Sequence, residues 1–383
     1  MHQHHTEHVD VTKTFTITRG PKATVTITGE IPFEILEKER AGALTELGKD
    51  LELKGFRKGH IPDAMIEKHF GEMAVLNEMA ERVLRHFYGH VLEEHALDAI
   101  SRPELHITKL AKGNPFGFSL TLQVLPEVTL PDYKKISQGI NKGKENGELK
   151  EQDIADAIER VQRQKLSYDR LQEKARKRQT VEEARKNGLT LPTPDTVKES
   201  DQEMEDTLSK LPLPELTDEY VKTLGAFDSV EAFKTQMKEH LAKEKNEETL
   251  SKHRAQLTDA LITGSEIDLA DVLIQSEIGQ MFGQMEEELT RAGLTIDGYL
   301  EHVKKTREDM IKEWTPTAEK RAKTQLILNE IAKKESLAPT EEEIAQGAAP
   351  LLAQYKEADP ERVRIYVASM LQNNKVMEFL EAQ

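Results

Sequence analysis

VTKTFTITRGPKATVTITGEIPFEILEKERAGALTELGKDLEL, residues 11–53, changes its hydrophobic period once, and that change sets the fold class of the first part of the chain. Residues 11–18 and 23–28 alternate apolar and polar side chains around Arg19-Gly20-Pro21-Lys22, which predicts two strands and a turn, with Phe15, Ile17, Val25 and Ile27 as the alternating apolar positions. After Pro32 the spacing of Phe33, Leu36, Leu44, Leu47 and Leu51 is helical and predicts a helix to about Leu53. GFRKGHIP at 55–62 interrupts it. Helical patterning returns at Met65 and Ile66, and again over 73–97 with Gly71 as the break. Residues 105–110 and 116–124 alternate once more on either side of Gly113-Asn114-Pro115. The first 130 residues therefore predict an α+β unit, a small antiparallel sheet with helices on one face.

Beyond Leu149 the texture is helical. Ile154, Ile158, Val161, Leu166 and Leu171 form a narrow stripe on one amphipathic helix. Residues 180–212 hold Gly188, Pro192, Pro194 and Pro212 with few large apolar residues, and read as a linker. From Leu213 a mostly helical region runs to Gln383, with segments expected at 229–262, 270–292, 296–333, 341–356 and 360–382. The expected organisation is an α+β domain at 1–135, a linker and long helix at 136–179, a short linker at 180–212 and an extended helical domain at 213–383. Neither a sustained heptad nor a fixed repeat is present.

Composition narrows the function. At 383 residues the chain exceeds one ordinary core, and 32% charged with 5% aromatic residues suits solvated helices. It has no cysteine, which removes disulfides, thiolate nucleophiles and Cys-based metal sites. The polar, His-rich start and the lack of a long apolar run predict a soluble cytoplasmic protein with no membrane partner. The net charge of −16 is uneven: residues 1–136 carry 17 Lys and Arg against 20 Asp and Glu, a balance of −3, which leaves −13 for the rest. The N-terminal part is thus the better suited to approach a polyanion.

Neither a GxxxxGK[ST] nor a GxGxxG phosphate loop occurs, and no GxSxG elbow, so no cofactor, nucleotide or catalytic residue is expected. His86, His90, Glu93, Glu94 and His95 come nearest to a metal set, but their spacing differs from an HExxH pair, and ordinary histidines are the better reading. The informative stretch is GFRKGHIP. Gly55 and Gly59 permit tight turns, Phe56 is directed outward, and Lys54, Arg57 and Lys58 surround it with charge. An aromatic anchor ringed by cations suits a surface of protein and RNA, where Arg57 offers bidentate contacts and Lys58 a point charge. On the residues alone, a Phe56 tucked into the local core with solvated cations is the better reading.

GFRKG followed by His-Ile-Pro resembles the ribosome-docking signature of trigger factor, usually GFRxGKxP. VLPEVTLPDYKKI, LKEQDIADAIERVQRQKLSYDRL, LPELTDEYVKTLG and DLADVLIQSEIGQMFGQ resemble, in order, that family's domain exit, linker helix and helical C-terminal domain. The resemblance implies that Gly55, Phe56, Arg57, Lys58 and Gly59 dock on a protein and nearby RNA of the large ribosomal subunit at the tunnel exit. It also implies an ATP-independent chaperone with a helical body and arms, whose partners are unfolded or nascent polypeptides, and which can form a homodimer. His60 stands where lysine is more usual, so the loop has one fewer permanent charge at neutral pH. The family's FK506-binding-type prolyl-isomerase domain would lie between the linker helix and LPEL, where only about 35 residues remain, below the roughly 40 needed to fold alone. Isomerase activity is therefore not expected. For clients, flexible side chains at Met204, Met237, Met281, Met285, Met310, Met370 and Met377, with Phe282, are the candidates, Met281, Phe282, Met285, Met370 and Met377 foremost. Taken singly, each of these methionines reads better as core filler. A holdase that has lost ribosome docking, or a prolyl isomerase, is the alternative function.

Overall fold

The computed structural model describes residues 15–54, 56–57, 59–144, 147–186 and 212–383, with side chains in the helix that ends at Lys186 described as far as Arg176, Lys174 excepted. The expected linker at 180–212 lies outside the described residues apart from the backbone of 180–186, which continues the preceding helix, and Pro212. The chain divides into two compact units, one of residues up to Ile136 together with Thr258–Gln383, the other Ser137–Leu257. The stretch expected as one helical domain, 213–383, is thus shared between units.

In the first unit, strands β1 (Thr16–Arg19), β2 (Thr24–Ile31), β3 (Glu104–Lys109) and β4 (Phe116–Gln123) form an antiparallel sheet in the order β1-β2-β4-β3. The register pairs Ile17 with Ile27, Val25 with Leu122, Ile27 with Leu120 and Ile31 with Phe116. Alternation then sends Val25, Ile27, Ile31, Phe116, Phe118, Leu120 and Leu122 into the core and leaves the threonines outside. Gly29 is required by close approach: a Cβ there would lie 2.2 Å from the Phe15 ring, which crosses it to meet Phe118 edge-on at 5.5 Å.

Helices α1 (Phe33–Lys38), α2 (Arg40–Gly48), α3 (Asp63–Phe70) and α4 (Glu72–Glu94) cover the sheet's core face. Val75, Leu76, Met79, Ala80, Val83, Leu84 and Val91 line the buried side of α4, each worth about 1.5–3 kcal/mol for the larger side chains. The helix expected to reach Leu53 instead ends at Gly48, whose backbone sits against Ile66 of α3, and the chain turns so that Leu51 is buried.

The same unit contains α9 (Asp271–Arg291), α10 (Ile296–Val303), α11 (Arg307–Glu335), α12 (Glu341–Gln354) and α13 (Pro360–Glu381), and a two-stranded pairing of β5 (Val128–Thr129) with β6 (Glu266–Ile267). The single helix expected at 296–333 is two: Lys304 adopts a left-handed conformation, and Thr306 and Asp309 form a reciprocal capping box that restarts the chain as α11. Ile327, Ile331, Val367, Val376 and Leu380 are fully buried. The exit motif has a structural task here: Tyr133 donates its hydroxyl to Glu335 at 2.5 Å, and Lys134 pairs with the same carboxylate at 2.8 Å. That bond and burial push the Tyr133 phenol up to about 12, burial first.

Short helix α5 (Tyr133–Asn141) leads out of the first unit's sequence, and α8 (Val230–Gly264) leads back into it. In the second unit α6 (Glu151–Lys186), α7 (Asp218–Leu224) and α8 meet around Ile158, Val221 and Phe233, with Ile154, Val161 and Met237 beside them. Lys245 on α8 pairs with Asp153 on α6 at 2.6 Å. Thr217 caps α7, and Asp218 accepts the Val230 N–H at the start of α8.

Candidate functional site

The GFRKG loop joins α2 to α3, and both its ends are fastened. Leu51 before it and Ile61 after it are buried in the N-terminal core, so the intervening residues must turn sharply. Phe56 donates its backbone N–H to Leu53 at 3.1 Å, and His60 donates to Arg57 at 3.0 Å. Gly59 sits at φ 77°, a conformation that a Cβ would penalise, with open space around it. Between these fixed points the Phe56 ring is 40% exposed. Lys54 and Arg57 are exposed too, and neither makes an ion pair among the described residues. Gly55 and Lys58 lie outside the described residues. The arrangement offers an apolar ring flanked by cations on an anchored turn, a shape that can enter an apolar notch while the cations reach anions beside it. Further exposed apolar side chains follow on the next helices, Met65 and Phe70 on α3 and Met73 at the start of α4. Phe70 lies four residues from Ile66, close to the stripe that buries it, so the periodicity of α3 alone does not mark it as exposed.

The candidate client side chains separate. Met377 is 7% exposed on the buried face of α13 with Val376 and Leu380, and Met310 is likewise buried, so packing removes both from the surface. Phe282 and Met285 are engaged in a cluster with Ile296, Leu300, Met310 and Trp314, the Phe282 and Trp314 rings 4.8 Å apart. Their spacing on α9 serves the contact with α10 and α11. Met237 packs in the second unit's core, Met281 is half-buried, and Met204 lies outside the described residues. Met370 alone among the foremost five is well exposed.

The sequence reading missed other exposed apolar side chains in this part of the chain. Ile365 and Tyr366 on α13, and Tyr355 just after α12, are half exposed or more. The signal was present in VRIYVASM, which is apolar on more than one face of its helix. Val367 faces inward, which leaves Ile365, Tyr366 and Met370 outward. Tyr366 and Met370 border a groove with Glu277, Arg321, Thr324 and Asn373. Burial there pushes the Glu277 carboxyl above its ordinary range, and Arg321 pulls it back. The groove joins apolar side chains to amide and charged groups.

Among the described residues, no three His, Asp or Glu side chains gather as metal ligands, and no helix is long and apolar enough to cross a membrane.

Comparison with known proteins gives two family models. That for bacterial trigger factor protein (TF) matches residues 13–161, and that for the bacterial trigger factor protein C-terminus matches 229–382. The interval 162–228 is left between them, where the resemblance would put the isomerase domain. The trigger factor of Streptomyces coelicolor is 25% identical, over 84% of this chain and 78% of that protein. That of Finegoldia magna is 25% identical over 92% and 90%. A solved structure of the trigger factor chaperone aligns with 96% of this chain and 99% of its own, at 16% identity and a TM-score of 0.49. Both models fall in family order, and the relatives span most of both chains: this chain belongs to the trigger factor family of chaperones.

Proposed function

We propose that this protein is an ATP-independent chaperone that docks at the ribosomal tunnel exit through Phe56, Arg57 and Lys58 and shields nascent chains. The observation that carries the reading is the exposed Phe56 on a turn fastened at both ends, with Arg57 beside it making no ion pair among the described residues. Client affinity through scattered apolar contacts is modest, because about 25 cal/mol per Å² is offset by an association cost of about 4 kcal/mol or more. Docking raises the local concentration of nascent chain to the order of mM, and folding of the client ends the interaction without nucleotide. The chain acts without catalysing proline isomerisation, a reading supported by the interval between the two family matches.

The test is co-sedimentation with 70S ribosomes at low salt. Wild type should pellet, and Phe56→Ala/Arg57→Ala/Lys58→Ala should remain in the supernatant. Retained pelleting of the triple variant removes the loop as anchor, and a wild type that never pellets favours the ribosome-independent holdase. Catalysed cis/trans exchange in a proline peptide would restore the isomerase.

A further inference from the structure

Helix α6 carries a charge pattern that its packing does not explain. Its first half buries Ala157 and Ile158 in the second unit, but of residues 168–176 those with described side chains are exposed, Arg170 partly. Residues 160–178 contain eight Lys and Arg against Asp169 and Glu173, a balance of +6 inside a chain of −16. The cations are also ordered. Arg160, Arg163, Ser167, Arg170, Lys174 and Lys177 follow each other at steps of three and four residues, one line along the helix with no apolar member. At 1.5 Å per residue the line is about 26 Å long.

Like charges three and four apart oppose helix formation, so such a line costs stability unless something neutralises it. Intrahelical pairing does so in part: Arg163 pairs with Glu159 at 2.7 Å, and Lys165, off the line, pairs with Asp169 at 2.5 Å. Arg160 and Arg170 have no ion-pair partner among the described residues. Leu171 and Tyr168 are exposed beside the line, but its own members are charged or polar, and a phosphodiester backbone presents charge alone and matches guanidinium groups bidentately.

We propose that this face of α6 is a second nucleic-acid contact, binding the phosphate backbone of ribosomal RNA independently of the GFRKG loop. The choice of ribosomal RNA rests on the docking reading above; the phosphate chemistry does not. The test uses the full chain as wild type, as Arg160→Gln/Arg163→Gln/Arg170→Gln and as the corresponding triple Lys variant, with unchanged circular dichroism as the folding control. Affinity for a synthetic ribosomal RNA hairpin is read by fluorescence anisotropy across salt, and ribosome pelleting is run in parallel.

The Gln variant should flatten the slope of log affinity against log salt by about 3, and the Lys variant should keep it. It should also leave the ribosome at lower salt than wild type. An unchanged slope, loss of slope in the Lys variant, or competition by polyglutamate as effective as by RNA overturns the proposal. A Gln variant that pellets as wild type does, while the loop variant does not, overturns this contact and leaves the docking reading standing. RNA binding lost in the Gln variant with ribosome pelleting unchanged overturns the assignment to ribosomal RNA.

Discussion

At the scale of single residues, burial decides what a methionine does. Met377 and Met370 occupy the same helix seven residues apart, yet one is enclosed and the other 40% exposed. Met377→Ala should cost about 2–5 kcal/mol in urea unfolding, and Met370→Ala within about 0.5 kcal/mol. Equal costs would show that both are core. Glu277 gives a pH signature. Its folded pKa is raised, by burial first, so its contribution to stability is full below the unfolded carboxylate range and declines as pH rises through the folded value. Glu277→Gln should therefore be at least as stable as wild type at neutral pH, with the advantage shrinking on acidification. Urea midpoints measured across pH test this, and a difference independent of pH refutes it. Phe56 shows how much was legible at this scale: its local residues favoured an inward ring, whereas it stands exposed between the buried Leu51 and Ile61.

At the scale of elements, the turn between β1 and β2 does more than reverse the chain. Lys22 and Ala23 take positive φ, and their consecutive backbone N–H groups donate to the two oxygens of Asp268 at 2.8 and 3.1 Å. Lys22 also reaches Asp271 with its ammonium at 2.9 Å, and Gln123 accepts the Val272 N–H. Asp268→Ala should leave these amides without acceptors, so hydrogen exchange at Lys22 and Ala23 should quicken while the β2–β4 ladder keeps its protection. Unchanged exchange at those two amides would deny Asp268 this part. RGPK announced a turn, but its partner lies some 245 residues on, beyond any local pattern. The capping box at Thr306 was readable as a helix start, yet the surrounding helical spacing masked it.

At the scale of the molecule, each unit has its own apolar core, Ile158, Val221 and Phe233 in one, and in the other the N-terminal cluster with Ile327 and Ile331 among the buried residues. Calorimetry should resolve more than one transition, and Phe233→Ala, worth about 3–5 kcal/mol, should lower only one of them. A single transition shifted whole by Phe233→Ala would mean that the chain unfolds as one. The smaller cluster makes the second unit the more sensitive to one truncation, since few other side chains share its burial.

Local order was enough for the alternation of β1, β2, β3 and β4, the helical spacing beyond Leu149 and the break at 55–62, because each depends on neighbours a few residues apart. Long-range packing settled that Val128 pairs with Ile267, that residues 258–383 join the N-terminal sheet in one unit, and that Val367 faces inward while Tyr366 stays out. Periodicity reports which side of an element seeks cover. It cannot say which distant segment supplies it, and on a helix apolar all round it does not select a side, because that choice is made by the long-range contacts that form when the chain closes on itself.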